Sequence, residues 1–248
     1  MSGEQSRILK VAALDLKMRP RAWAFAEERA ADILDHWRRR KAERPNLFDG
    51  RVLLMGAYEF VRRGDGATIL RGDYFETDFK AFLAWRDFGF PDRSVANGFS
   101  MAALQSADGA YLLGEMAHHT ANGGAIYFAA GTPDPSDVFD GRVDLRASVV
   151  RELEEETGLK ASDLAIADDW IVVEAPPLVA CMKPVTVADD AETVKARIEA
   201  YLASEKRPEL ERMHIARSAA EIEGKRMARF MVDFLRYAFG DPSRQAAS

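Results

Sequence analysis

Residues 149–159, VVRELEEETGL, carry glutamates at 152, 154, 155 and 156 and end on Gly158-Leu159. A helix advances about 100° per residue, so Glu152, Glu155 and Glu156 share a sector of roughly 100° while Glu154 lies on the far side. Like charges four apart destabilise a helix by about a few tenths of a kcal/mol per pair. Such a run is therefore either a solvated face or the holder of something that offsets the repulsion. A hard divalent cation does so: Mg2+ takes oxygen ligands in an octahedron, keeps several waters, and is commonly held by a few carboxylates together with substrate phosphate. Arg151, four residues before Glu155, is placed to orient it through a charge-assisted hydrogen bond.

The elements that must position these acids are written around them. Asp144 is a good N-cap, and Gly158 falls where a helix ends on a left-handed residue. Leu145, Val149 and Leu153 form an apolar stripe beside the acidic sector, which would pin the helix to a sheet and leave the acids at the edge of the packed body. Ahead of it, SVANGFSMAALQS, AYLLGEMAHH and GAIYFAAG have strand patterning, with a turn at Ala107-Asp108-Gly109, and TPDPSDVFDGRV is a loop rich in Pro, Gly and Asp. After it come the β-branched runs of DWIVVEAPPLVACMKPVTV, broken at Pro176-Pro177, an amphipathic helix in AETVKARIEAYLASE and a strand in ELERMHIARS. KRMARFMVDFLRYAFG predicts a closing helix with Phe230, Met231, Phe234, Leu235 and Phe239 among its apolar positions.

Nearer the N-terminus, Trp23, Phe25, Ala26, Ala30, Ile33, Leu34 and Trp37 recur at helical spacing from Arg21 to about Arg44, where Pro45 ends the pattern. RVLLMGAYEFVRRGDGATILRGDYFE predicts two strands joined around Asp65-Gly66. After Thr77, a residue suited to an N-cap, Phe79, Phe82 and Trp85 mark a short helix ending near residues 88–91. We place a boundary there, which divides the chain into an N-terminal extension of helix and β-hairpin (1–92), a catalytic-type domain (93–240) and a tail (241–248).

Composition excludes several classes. The single cysteine, Cys181, cannot form an internal disulfide and reads as a buried small hydrophobe, and the four histidines lack zinc-site spacing. A reducing, cytoplasmic setting is expected. No apolar run approaches the ~20 residues of a membrane span, and the N-terminal stretch MSGEQSRILKVAALDLKMRPRAW is broken by Asp15 and Lys17, against a cleaved signal peptide. A net charge of -6 disfavours a nucleic-acid partner, because backbone affinity comes from excess Lys and Arg. It leaves open a phosphorylated small molecule held by a few local groups or a metal.

On these residues the chain resembles the Nudix hydrolases, whose signature runs Gly, five residues, Glu, seven residues, Arg-Glu, an aliphatic, any residue, Glu-Glu, any residue, Gly, aliphatic. Residues 151–159 match its whole second half. The resemblance implies an α/β fold, an α/β/α sandwich with a mixed β-sheet, an N-terminal helical and β extension and a C-terminal helix. It also implies Glu152, Glu155 and Glu156 as ligands of Mg2+, with Mn2+ as a substitute, Arg151 as their orienting partner and Gly158 as the helix terminus. The first half departs: Val143 stands where the family has Glu and Asp137 where it has Gly. An insertion in AAGTPDPSDVFDGRVD accounts for this, with Gly131 as the loop glycine and Asp137, Asp140, Asp144 or none of them replacing the acid. LFDGRVLLM followed by LAWRDF is similar to an N-terminal segment of a Nudix subgroup that hydrolyses UDP-glucose and UDP-galactose.

The implied activity is hydrolysis of the diphosphate linkage in a nucleoside diphosphate conjugate, foremost a nucleotide sugar, to a nucleoside monophosphate and a sugar phosphate. Glu152, Glu156 and Arg151 would be catalytic, with Glu152 or Glu156 taking the proton of the attacking water. Gly131, Thr132, and Arg86 with Trp85 are the substrate-binding candidates, the last two as phosphate partner and base-stacking platform; a Trp85 packed inside beside a solvated Arg86 is the more ordinary reading. His118 and His119, read as strand residues, face opposite ways, so at most one meets substrate, and a structural role is the better expectation for both. Glu209, Glu211 and His214 are further general-base candidates. Two alternatives stand beside this: a catalytically silent Nudix-like module that binds a nucleotide or protein, favoured by Val143 and by FAAG where the family has Pro-Gly-Gly, and a diphosphatase for another conjugate such as ADP-ribose or coenzyme A.

Overall fold

The computed structural model describes residues 6–120 and 122–241; the expected tail from residue 242 onward and the first five residues of the N-terminal stretch lie outside them. The chain runs β1 (Arg7–Val11), β2 (Ala13–Met18), α1 (Ala24–Glu28), α2 (Ala30–Glu43), β3 (Arg51–Arg62), β4 (Thr68–Asp78), α3 (Phe79–Asp87), β5 (Asn97–Gln105), β6 (Tyr111–Met116), β7 (Ile126–Tyr127), β8 (Val138–Phe139), β9 (Arg142–Val143), α4 (Leu145–Thr157), β10 (Leu164–Ile166), β11 (Trp170–Ala175), β12 (Leu178–Val187), α5 (Ala191–Ser204), β13 (Leu210–Ala216) and α6 (Arg229–Ala238). The fold is mixed α/β with two mixed sheets. One has the order β1-β11-β12-β5-β6-β13, with β7 beside β6, β10 beside β12, and β12 parallel to β5. The other has the order β3-β4-β2-β9-β8, with β2 parallel to β4.

Side chains alternate across a strand, and each sheet buries both faces accordingly. Met101 and Ala103 of β5 with Ala180 and Met182 of β12 join Phe230, Met231, Phe234 and Leu235 of α6 in one core. Their neighbours Ala102, Leu104, Val179 and Cys181 face the other way. There they meet Leu145, Val149 and Leu153 of α4, Val194, Ile198 and Leu202 of α5, and Leu53, Met55, Leu70 and Tyr74 of the second sheet. The reverse face of that second sheet, including Val52, Leu54 and Phe75, is covered by Phe25, Ile33, Phe82 and Trp85 of the first three helices. Cys181 is fully buried and its thiol is pushed up to about 12 by desolvation, so it acts as a packing residue.

Local signals placed most elements, and long-range pairing supplied the rest. Gly66 turns β3 into β4 at φ +84°. The apolar N-terminal patch forms β1 and β2, which the local pattern does not announce because their partners lie far along the chain. β1 pairs with β11 from Arg7↔Glu174 to Val11↔Trp170, so the first sheet takes strands from both sides of residue 92. Inside the loop TPDPSDVFDGRV, β8 and β9 form a small hairpin that reaches β2 at Lys17↔Arg142. The helix expected over residues 21–44 is two helices, broken at Arg29 with φ -107° and ψ 20°. Asp78, the last residue of β4, and not Thr77 occupies the N-cap of α3, without a side-chain cap bond, while Thr77 is buried one residue earlier in the strand. His118 and His119 lie in a turn after β6 and not on a strand.

The helix with the acidic run has the expected ends. The Asp144 carboxylate accepts from the N–H groups of Arg146 and Ala147, and Gly158 ends α4 in the left-handed conformation at φ +70°. A Cβ on Gly158 would lie 2.6 Å from the Tyr201 ring. Gly158→Ala therefore combines left-handed strain with a clash and is expected to cost about 2 kcal/mol or more. That corresponds to a fall of about 4 °C or more in the thermal unfolding midpoint for a chain of this size; a midpoint within a degree of the parent would contradict the packing described.

Candidate active site

The apolar stripe of α4 is buried at 1% exposure each for Leu145, Val149 and Leu153. Packing that stripe carries the neighbouring flank inward too. Glu156 is 6% exposed, and the Glu152 side chain is 15% exposed. These two carboxylates, one helical turn apart, are brought together. Glu155 is not brought in: its side chain is 61% exposed and turned back to Arg151 at 3.4 Å. Glu154 is exposed on the far side, as the helical geometry predicts.

Arg151 is the cation of the site. Its guanidinium lies 2.8 Å from Glu152, 3.4 Å from Glu155 and 3.1 Å from Asp137. Burial works against its charge, but Asp137, Glu152 and Glu155 together raise its pKa. Of the acids expected as replacements in the loop, Asp137 is 2% exposed and also accepts from the Asp134 N–H. It anchors Arg151. Asp144 is spent on capping α4, and Asp140 is an exposed turn residue at φ +49°.

The loop before α4 closes over the carboxylates with its backbone. The Ala130 N–H donates to Glu156 Oε1 at 3.5 Å. Gly131 lies so close to Glu152 that a Cβ on it would overlap the carboxylate, which is the physical reason for a glycine here. Desolvation raises Glu152 from its ordinary 4.5 to about 7; Arg151 opposes the shift, while Glu155 and Glu209 add to it. Desolvation also pushes Glu156 well above its ordinary 4.5, with Glu152 and Glu209 reinforcing it. Glu209, from the residue before β13, is thus in the field of both. Glu211 and His214 are engaged elsewhere, with His118 at 3.7 Å and Glu115 at 2.8 Å.

Among the substrate-binding candidates, Gly131, Thr132 and Arg86 line one cavity together. Trp85 does not belong with them. It is 0% exposed in the aromatic core, its Nε1–H donates to the Asp92 carbonyl at 2.9 Å, and Trp23 and Phe90 pack on its ring, so it cannot be a stacking platform. His118 and His119 line a second cavity with Glu209, Arg207 and the apolar Leu47, Phe48 and Phe79.

The carboxylate pair suits a hard cation. Among the described residues no three His, Cys, Asp or Glu side chains converge as a closed metal cage. Mg2+ does not require one: it is usually bound through one or two carboxylates plus substrate phosphate and water. Glu152 and Glu156, poorly hydrated and poorly compensated by the protein, are the residues here that could hold one.

No protein-family model and no curated protein matches the chain. Among solved structures it is similar to the Nudix hydrolase RenU from M. smegmatis, at 13% identity over 61% of this chain and 88% of that one, with a TM-score of 0.38. It is similar to the MutT protein from Methanosarcina mazei Go1 at 16% identity, over 60% and 96% of the two chains, with a TM-score of 0.38. It is also similar to a C. elegans Ap4A hydrolase at 14% identity, over 57% and 93%, with a TM-score of 0.40.

A carboxyl group whose pKa rises on folding supports the fold fully below its unfolded value and loses that support as pH climbs through the folded one. For Glu152 the window runs from 4.5 to about 7, and Glu156, raised in the same direction, adds a loss of the same sign as pH rises above 4.5. In EDTA, Glu156→Gln, which keeps the shape and can still accept from Ala130, is expected to be more stable to urea than the parent at about pH 8, the two converging at about pH 4. Equal or lower stability of the variant at the higher pH would contradict the burial of this charge.

Proposed function

We propose that the protein is a Mg2+-dependent hydrolase of nucleoside diphosphate conjugates, foremost nucleotide sugars, yielding a nucleoside monophosphate and a sugar phosphate. The single observation that carries this reading is the pair of buried carboxylates, Glu152 and Glu156, set against the bare backbone of Gly131. Burial of two adjacent acids without a matching number of cations opposes folding, and it is the arrangement expected where function asks for a divalent ion and a phosphate. The Arg-Glu-aliphatic-x-Glu-Glu-x-Gly-aliphatic run that places them is the part of the Nudix signature this chain keeps.

Glu152 and Glu156 would hold the ion, which when bound neutralises charge on the diphosphate and acidifies water for attack at phosphorus. Arg151, tethered by Asp137, fixes the rotamer of Glu152. Gly131 lets the loop backbone approach without a side chain between it and the carboxylate. The carboxylates that share one field, Glu152, Glu156 and Glu209, are the groups that can take the proton of the attacking water. Arg86, in the cavity with Thr132, supplies a fixed cation for substrate phosphate. Preference for a uridine diphosphate sugar rests on the similarity of LFDGRVLLM and LAWRDF to the UDP-sugar subgroup.

Glu152→Gln and Glu156→Gln are each expected to lower Mg2+-dependent turnover by about a hundredfold or more with the fold retained. Circular dichroism checks the fold and release of nucleoside monophosphate checks the rate; undiminished turnover in both variants refutes the site. In a substrate panel UDP-sugars are expected to outcompete ADP-ribose, dinucleoside polyphosphates and coenzyme A. Preference for one of those three would correct the substrate class, and binding without product from any of them would replace the enzyme with a silent binding module.

A further inference from the structure

The cavity lined by His118 and His119, of about 620 Å³, is assembled mainly from three segments: residues 43–48 at the end of α2 and beyond it, residues 118–120 after β6, and residues 207–209 before β13. Its volume is within the range of small-molecule sites. Glu209 belongs to its wall and also acts on Glu152 and Glu156, so the cavity adjoins the carboxylate pair.

Two guanidinium groups stand in this wall, and both are fixed by neutral oxygens. Arg44 Nη1 donates to the Thr120 carbonyl at 2.7 Å. Arg207 donates from Nη1 and Nη2 to the Asn46 amide oxygen at 3.1 and 3.2 Å, the amide being oriented so that both groups are satisfied. Lys41 braces the same loop through the Pro45 and Leu47 carbonyls at 3.1 and 2.8 Å. Among the described residues neither guanidinium is paired with a carboxylate, in contrast to Arg40 and Arg151. Of the acids in the wall, Glu43 is taken by Arg40 at 2.8 Å. A carbonyl oxygen positions a cation without cancelling its charge, so Arg44 and Arg207 keep theirs for an anion, and the planar fork of Arg suits a carboxylate or a phosphate.

Beside these cations the wall is apolar. Phe48 is 52% exposed and meets Phe79 edge on, at 5.6 Å between ring centroids. The negative face of an exposed aromatic ring, held in place beneath a cationic rim, suits a saturated ring that has C–H groups on one side and an anionic group at its edge. We propose that this cavity receives the moiety joined to the nucleoside diphosphate, and that Arg44 and Arg207 select a sugar with a negative charge of its own, a carboxylate or a further phosphate. The nature of the conjugate rests on the diphosphatase reading above; the charge of its second half and the residues that recognise that charge are additional. Arg207 lies two residues before Glu209, about 7 Å at most along the chain, a distance that one sugar ring can bridge.

The test is titration of the full chain, in Mg2+, with methyl glucoside, methyl glucuronide and methyl glucoside 6-phosphate, three probes that differ only in the group at C6. At least one charged probe is expected to bind about tenfold or more tighter than the neutral one, and the tighter of the two names the source of the charge. Added NaCl is expected to narrow the gap, because charges at a surface are screened. Arg44→Gln and Arg207→Gln are each expected to remove most of it with the unfolding midpoint unchanged, and Arg207→Lys, which keeps the charge but loses the fork, to retain part. Equal affinity for the three probes, or a preference that survives both glutamine substitutions, would overturn the proposal. None of the probes contains a diphosphate, so charge preference without turnover of any nucleotide conjugate would refute the hydrolase and support the anion site. Turnover of UDP-glucose and UDP-glucuronate with no charge preference in the probes would do the reverse.

Discussion

Glu152 and Glu156 leave the same flank of α4 one turn apart, and the contacts that bury Leu145, Val149 and Leu153 take both carboxylates out of water with them. Each loses hydration and each repels the other, which is why both are harder to ionise than a free glutamate. The protein answers only in part. Arg151 reaches Glu152 but divides itself among Asp137, Glu152 and Glu155, and Glu156 receives a single long bond from a backbone N–H. A fold gains nothing for its own stability from this arrangement, and the proposed capture of a cation together with a phosphate is what would offset the cost.

The remaining architecture holds that pair in register. Asp144 and Gly158 fix where α4 begins and ends, so the helix cannot slide its acidic flank away from the loop. The β8–β9 hairpin docks on β2, which ties the end of the loop before α4 to the second sheet and holds Asp137 at 3.1 Å from Arg151. Gly131 then passes with only backbone between it and Glu152. The first three helices stand behind the second sheet, and the end of α3 with Phe90 forms one wall of the cavity next to the carboxylates. Residues far from the acidic run in sequence therefore define what can approach it.

What the sequence disclosed was local chemistry. An N-cap carboxylate, a left-handed glycine and an apolar stripe each depend on near neighbours, and α4 was legible for that reason, as was the turn at Asp65-Gly66. Helical angle also separated Glu154 from the other acids. It could not place Glu155, because the angle sets the direction of a Cα–Cβ bond and not the rotamer of a long exposed side chain with an arginine one turn before it. The spacing of Phe79, Phe82 and Trp85 is the same for a core stripe as for a stacking platform, and only the surrounding Trp23 and Phe90 decide that Trp85 is core. Strands β1 and β2 and the bond between Asp137 and Arg151 arise from contacts between distant segments and leave no periodic trace.

Crystals grown in Mn2+, with data collected for its anomalous signal, test the central claim most directly. The account predicts a peak in contact with both Glu152 and Glu156, beside Gly131, with Arg151 still held by Asp137. Manganese bound elsewhere, with those two carboxylates free of it, would contradict the assignment of this helix as the metal-holding element.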